Sequence, residues 1–161
     1  MRNITEYIKN FIRKRKNGSS LNDVVFLDID GVVNTDIYNY GQIPFNKECI
    51  SNVNRLCKEY DLKIVITSSW KEDPDCLQYL YNSGLDRTIP VIGVTEDLDG
   101  FRENEIRRFL DKHSNIGTFI ILDDIPMKNL SDHQIRTLFS KGFDEEKYNE
   151  AKALLQELLQ H

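Results

Sequence analysis

The sequence predicts an α/β protein: a three-layer sandwich of helices around a central parallel sheet. Two observations carry that expectation. Short apolar runs rich in Val and Ile alternate with segments whose apolar residues recur at helical spacing. Such alternation builds a parallel sheet covered on both faces. In addition, three of the runs lead straight into polar residues: Asp28 and Asp30, Thr67 and Ser68, Asp123 and Asp124. Right-handed crossovers gather the C-terminal ends of such strands on one edge, where α/β proteins place their sites.

A chain of 161 residues suits one main domain with a sizeable core. Its 40% hydrophobic and 29% charged residues are ordinary for a globular protein. A net charge of -5 and a pI near 5.2 exclude wholesale electrostatic wrapping of nucleic acid, though not a local basic patch. No apolar run approaches the ~20 residues of a membrane helix, so no membrane span is expected. The N-terminus lacks the apolar core and cleavage site of a signal peptide. Cys49, Cys57 and Cys76 are odd in number and share no metal-type spacing, which suggests free thiols and a cytoplasmic location.

Taken in order, residues 1–20 read as an N-terminal amphipathic helix and linker, and residues 21–161 as the main domain. Ile4, Tyr7, Ile8, Phe11 and Ile12 form the apolar stripe of that helix; Arg13 to Lys16 form its basic end, before the breaker Asn17-Gly18. It is either an extension packed on the domain or an arm that docks a partner, an anionic membrane surface or RNA. Val24 to Leu27 is a buried strand. An irregular stretch with Tyr38 and Tyr40 leads to a helix capped by Asn46, with Cys49, Val53, Leu56, Cys57 and Tyr60 on one face. The two cysteines there read as core residues.

Leu62 to Ile66 is the second strand. Asp73 and Pro74 open a short helix to Tyr81, closed by Asn82-Ser83-Gly84. Val91 to Val94 is a short strand, and a polar loop then leads to a helix ending near His113, with Ile106, Phe109 and Leu110 inside. Thr118 to Leu122 is the next strand and Ile135 to Phe139 the last. Asp144 caps a terminal helix from Glu145 to about Leu159, with Tyr148, Ala151, Leu155 and Leu158 facing inward.

The polar residues at the strand ends suggest chemistry. Asp28-Ile29-Asp30-Gly31 is either a strand ending in an Asp-Gly turn or a reaction centre. Ionised carboxylates are costly to bury alone, and several crowded together repel unless a cation holds them. Oxygen donors without a His or Cys cluster suit Mg²⁺ rather than zinc. In a metal-assisted phosphoryl-transfer site, Asp28 can be the nucleophile and Asp30 the acid and base. Thr67, with Ser68 after it, can hold the phosphoryl group, and Arg102 or Lys71 can balance its charge.

Phe26 to Asn34 resembles the first motif of the haloacid dehalogenase (HAD) superfamily of phosphatases. Ile64 to Ser69 resembles its second motif, and Ile120 to Asp124 its fourth. Asp-Gly-Val-x-Asn, Ser-Ser-Trp-Lys, Ile-Gly-Val-Thr and Arg-x-x-Glu-Ile together resemble the HAD domains of "Swiss Army Knife" RNA-repair proteins, over about residues 22–158. The resemblance implies a Rossmann-like fold and a Mg²⁺-dependent phosphatase that works through an aspartyl-phosphate. By it, Asp28 is nucleophile and metal ligand, and Asp30 is acid/base and binds metal through its carbonyl. Asp124 is a metal ligand, with Asp123 beside it. Arg102 has the position of the third-motif cation, and Lys71 is the reserve.

The segments that would form a cap are short, so a large phosphorylated substrate is expected, such as an RNA or DNA end. The Tyr38/Tyr40 loop could then stack on a base or simply pack on the domain. A nucleotidase or a phosphoprotein phosphatase of the same mechanism is the alternative. A catalytically silent binding or regulatory module of the same fold is the rival of another class.

Overall fold

The structure, a computed structural model, describes residues 21–36 and 44–160. The expected N-terminal helix, the Tyr38/Tyr40 loop and His161 lie outside the described residues. Within them is an all-parallel sheet of β1 (Asn22–Leu27), β2 (Leu62–Ile66), β3 (Val91–Val94), β4 (Ile116–Asp123) and β5 (Gln134–Arg136), in the order β3-β2-β1-β4-β5. Helices α1 (Lys47–Tyr60), α2 (Cys76–Asn82), α3 (Arg102–Lys112) and α4 (Glu145–Leu159) cover it. This is the Rossmann-like α/β sandwich that the sequence predicts.

β1 is central because both its faces are apolar. Val25 and Leu27 join the cluster made with α1, α2 and α4, whose core includes Val53, Leu56, Leu80, Ala151 and Leu155. Val24 and Phe26 join the opposite cluster, closed by Ile106, Phe109 and Leu110 of α3. Phe26 packs nearly at right angles to Phe109 and Phe119, with ring centroids 5.8 and 5.9 Å apart, an arrangement that suits their quadrupoles. Three layers and two cores result.

Local signals set the helix ends. Asn46 and Asp144 accept the backbone N–H of Cys49 and Lys147 and start α1 and α4 at the expected residues. α1 ends where Asp61 takes a left-handed conformation. A 3₁₀ turn (Ser69–Glu72) precedes α2, capped by the Ser68 hydroxyl. Helix α2 therefore starts at Cys76, later than the Asp73-Pro74 pair suggests. The last strand is shorter than the expected Ile135 to Phe139. Beyond Arg136 the Thr137 hydroxyl donates to the Gly31 carbonyl at 2.6 Å, and the chain turns at Leu138 to bring Phe143 back to Val32.

Only residues 28–46 separate β1 from α1, and α2 with its flanking turns fills the β2–β3 connection. Neither is a cap domain. No helix among the described residues is long and apolar enough to cross a membrane. Cys49, Cys57 and Cys76 are buried free thiols. Burial pushes Cys49 and Cys76 up to about 11 and Cys57 up to about 12, so all three stay protonated and inert. A thiol reagent should therefore label them only after denaturant is added; prompt stoichiometric labelling of native protein would contradict this packing.

Gly142 ties the last turn to the first loop. Its φ is +61°, and a Cβ there would lie 2.4 Å from the Val32 carbonyl oxygen and 2.7 Å from Thr35 Cγ2. Gly142→Ala should cost about 2 kcal/mol or more, through left-handed strain plus overpacking. Urea unfolding measures it, and an unchanged midpoint would refute the close approach.

Candidate active site

β1 lies between β2 and β4 with Leu27 opposite both Ile66 and Leu122. The next residue on each strand, Asp28, Thr67 and Asp123, therefore emerges at one level. The Asp28 N–H donates to the Leu122 carbonyl at 3.1 Å, and the Thr67 N–H to the Leu27 carbonyl at 3.0 Å. The sheet order reverses at β1: the chain builds outward to β3, then crosses back through α3 to β4. A crevice opens at such a switch point, beyond the strand ends.

Beyond Asp28 the chain folds into a tight loop. The N–H groups of Val32, Val33 and Asn34 all turn to the Ile29 carbonyl, and Gly31 N–H donates to the Asn34 carbonyl at 2.8 Å. Gly31 has φ +80°, and a Cβ on it would sit 2.7 Å from the Asp124 carboxyl carbon. Glycine at this position thus makes room for Asp124. Asp28, Asp123 and Asp124 each offer an oxygen, and these oxygens lie within 4.8 Å of one another.

Arg102, the first residue of α3, reaches into this group. Its Nη1 donates to Asp123 Oδ2 at 2.7 Å and to Thr67 Oγ1 at 3.4 Å, and stands 3.2 Å from Asp28 Oδ1. Asp28 and Asp123 are 3% and 0% exposed. Burial, then the neighbouring Asp123, raises the Asp28 carboxyl well above its ordinary range, against the pull of Arg102. Burial likewise raises Asp123 to about 6, again opposed by Arg102. One guanidinium does not offset three crowded carboxylates. The hard-oxygen donor set fits Mg²⁺, which takes such ligands while retaining water.

Lys71 stands one ion pair further out. Its ammonium meets Thr95 Oγ1 at 3.1 Å, Asp97 at 3.2 Å and Glu105 at 3.4 Å. Glu105 in turn lies 3.7 Å from Arg102 Nε, so it bridges the two cations. The Ser68 hydroxyl accepts from the Trp70 backbone N–H at 3.2 Å and serves as a cap. Thr67 is fully buried, its hydroxyl turned to Arg102.

Asp30 contributes no carboxylate to the three-Asp group. Its Oδ1 accepts from Trp70 Nε1 at 2.9 Å and from Asn34 Nδ2 at 2.8 Å. Trp70, Asn34 and Glu105 stand in the motifs quoted from the sequence, which assign them no role. The spacing of Arg102 and Glu105, three apart on one helix, does hint at their pairing. No comparable signal marks Asn34 or Trp70 as partners of Asp30, since each bond depends on how a loop folds. His113 and His133 are remote from the group, each stacked on a phenylalanine, Phe109 and Phe119.

Between pH 3.8 and about 6 the folded chain keeps on Asp123 a proton that the unfolded chain has released. Stability of the metal-free protein therefore falls as pH rises through that window, and Asp28 acts in the same direction. In chelator at neutral pH, Asp28→Asn should melt higher than wild type, and the gap should narrow as pH drops below the window. Mg²⁺ should raise the melting temperature of wild type more than that of the variant. A variant less stable than wild type in chelator at every pH would refute the repulsion.

The model of one family, described as the HAD domain in Swiss Army Knife RNA repair proteins, matches residues 24–148. No curated protein and no solved structure matches the chain.

Proposed function

We propose a function from one premise: the chain belongs to the family of HAD domains in Swiss Army Knife RNA repair proteins. The reading is a phosphatase, Mg²⁺-dependent, that hydrolyses phosphomonoesters on RNA or DNA ends through an aspartyl-phosphate. What carries it is the meeting of Asp28, Asp123 and Asp124 within 4.8 Å at the switch point, with Arg102 on two of them.

Asp28 attacks phosphorus through a carboxylate oxygen while the bond to the leaving oxygen breaks, and Asp30 gives that oxygen its proton. Asp30 then takes a proton from water as the water oxygen bonds phosphorus. The Asp28–phosphorus bond breaks, and phosphate leaves. Thr67 and the start of the turn after it, at Ser68, receive the phosphoryl oxygens. Contacts favour Arg102 over Lys71 as the cation that balances charge there; Lys71 supports it through Glu105. Asp28, Asp123 and Asp124, with the Asp30 carbonyl, would hold Mg²⁺, which supplies charge balance to carboxylates and phosphoryl group when bound.

The family's description and the short connections around the site both favour a large substrate, hence a polynucleotide end. Residues 21–161 form the catalytic domain in this reading, with residues 1–20 as an appended segment available to a partner. The buried free thiols suit the cytoplasm.

Turnover of 3′- and 5′-phosphorylated oligonucleotides, mononucleotides and phosphopeptides, with Mg²⁺ and with chelator, tests the reading. Oligonucleotides should be preferred, Mg²⁺ required, and Asp28→Asn should lose on the order of a thousandfold or more in kcat. Full activity of that variant would end the covalent mechanism. Preference for mononucleotides or phosphopeptides would move the substrate class, and no wild-type turnover of any of them would leave a silent binding module.

A further inference from the structure

We infer that Trp70 is a positioning residue for Asp30, fixing which carboxyl oxygen handles the proton; this rests on the phosphatase reading above. The indole N–H of Trp70 donates to Asp30 Oδ1 at 2.9 Å, and the Asn34 amide donates to the same oxygen at 2.8 Å. An oxygen has two lone-pair directions for acceptance, and both are engaged. The proton therefore resides on Oδ2 when Asp30 is an acid, and Oδ2 is the base when Asp30 is ionised.

The terminal torsion of an aspartate is soft and close to two-fold, so without such donors the two oxygens exchange freely. Trp70 cannot drift from its task. Phe45 and Tyr79 meet its ring nearly at right angles, with centroids at 5.2 and 6.0 Å. Its backbone N–H is held by Ser68 Oγ at 3.2 Å. Trp70 follows β2 and Asp30 follows β1, so the bond also locks the two strand-end loops together. In the first step the Oδ2 proton passes to the leaving oxygen as the Asp28–phosphorus bond forms and the ester bond breaks. In the second, Oδ2 receives a proton from the attacking water as the Asp28–phosphorus bond breaks.

Trp70→Phe removes the N–H and leaves an aromatic ring between Phe45 and Tyr79. Because the chain has one tryptophan, biosynthetic replacement by benzothienylalanine removes the N–H with the ring shape kept, should the Phe variant fold poorly. For an alkyl phosphate, whose leaving oxygen needs a proton, kcat/KM should fall roughly ten- to a hundredfold, as expected for a lost bond to a charged group. For p-nitrophenyl phosphate, whose leaving group departs unprotonated, kcat/KM should change by less than about threefold. A merely structural tryptophan would lower both alike. Equal loss on both esters, or no loss on either, would overturn the role of Trp70 while wild-type turnover abolished by Asp28→Asn keeps the phosphatase reading. No wild-type turnover would overturn that reading and this inference with it.

Discussion

The backbone ladder on both sides of β1 is the constraint on which the rest of the molecule depends. A strand with apolar residues on both faces must sit in the middle of a sheet covered on both sides. Once Leu27 is level with Ile66 and Leu122, the polar residues that end each strand have no choice but to meet. A slip of β4 by one residue would turn Asp123 to the opposite face and put its neighbour at the junction. The apolar packing of Phe26 with Phe109 and Phe119 therefore does more than fill a core. It holds carboxylates from distant parts of the sequence at one height.

Much of this was legible in the sequence because the signals were local. β2 and α4 occupy the expected residues, since an uninterrupted apolar run and a capping aspartate each fix a boundary within a few residues. The family resemblance rested on motifs at strand ends, and the strand ends converge. What was not legible depended on loops. β5 ends at Arg136, and the next residue, Thr137, sends its hydroxyl to a partner far away in the chain, the Gly31 carbonyl. The choice between Arg102 and Lys71 was open from sequence because both follow strand-end loops and both carry one positive charge. Three-dimensional reach separates them: Arg102 touches Asp28 and Asp123, whereas Lys71 meets Thr95, Asp97 and Glu105.

The charges behind the acidic group form a graded series. Lys71 and Glu105 have side chains only 6% exposed, and Glu105 also approaches Arg102. Buried ions are tolerated when each has a partner of opposite sign, and removing one leaves the next uncompensated. Glu105 thus keeps the two cations from repelling each other and orients the guanidinium toward the strand ends. Glu103, one turn face away, accepts the backbone N–H groups of Asn129 and Leu130 at 2.6 and 2.8 Å. Helix α3 is thereby fastened to the loop after β4, so Arg102 and Asp123 are carried on elements that are joined to each other.

The single indole of the chain has a consequence outside chemistry. It lies against two aromatic rings, and its N–H rests on the Asp30 carboxylate. Intrinsic fluorescence excited at the red edge comes from this one ring, with no other tryptophan to dilute it. Any event that shifts the Asp30 carboxylate changes the polarity around the emitter. The protein thus carries its own optical gauge of the strand-end loops, readable in unlabelled material and on the timescale of mixing.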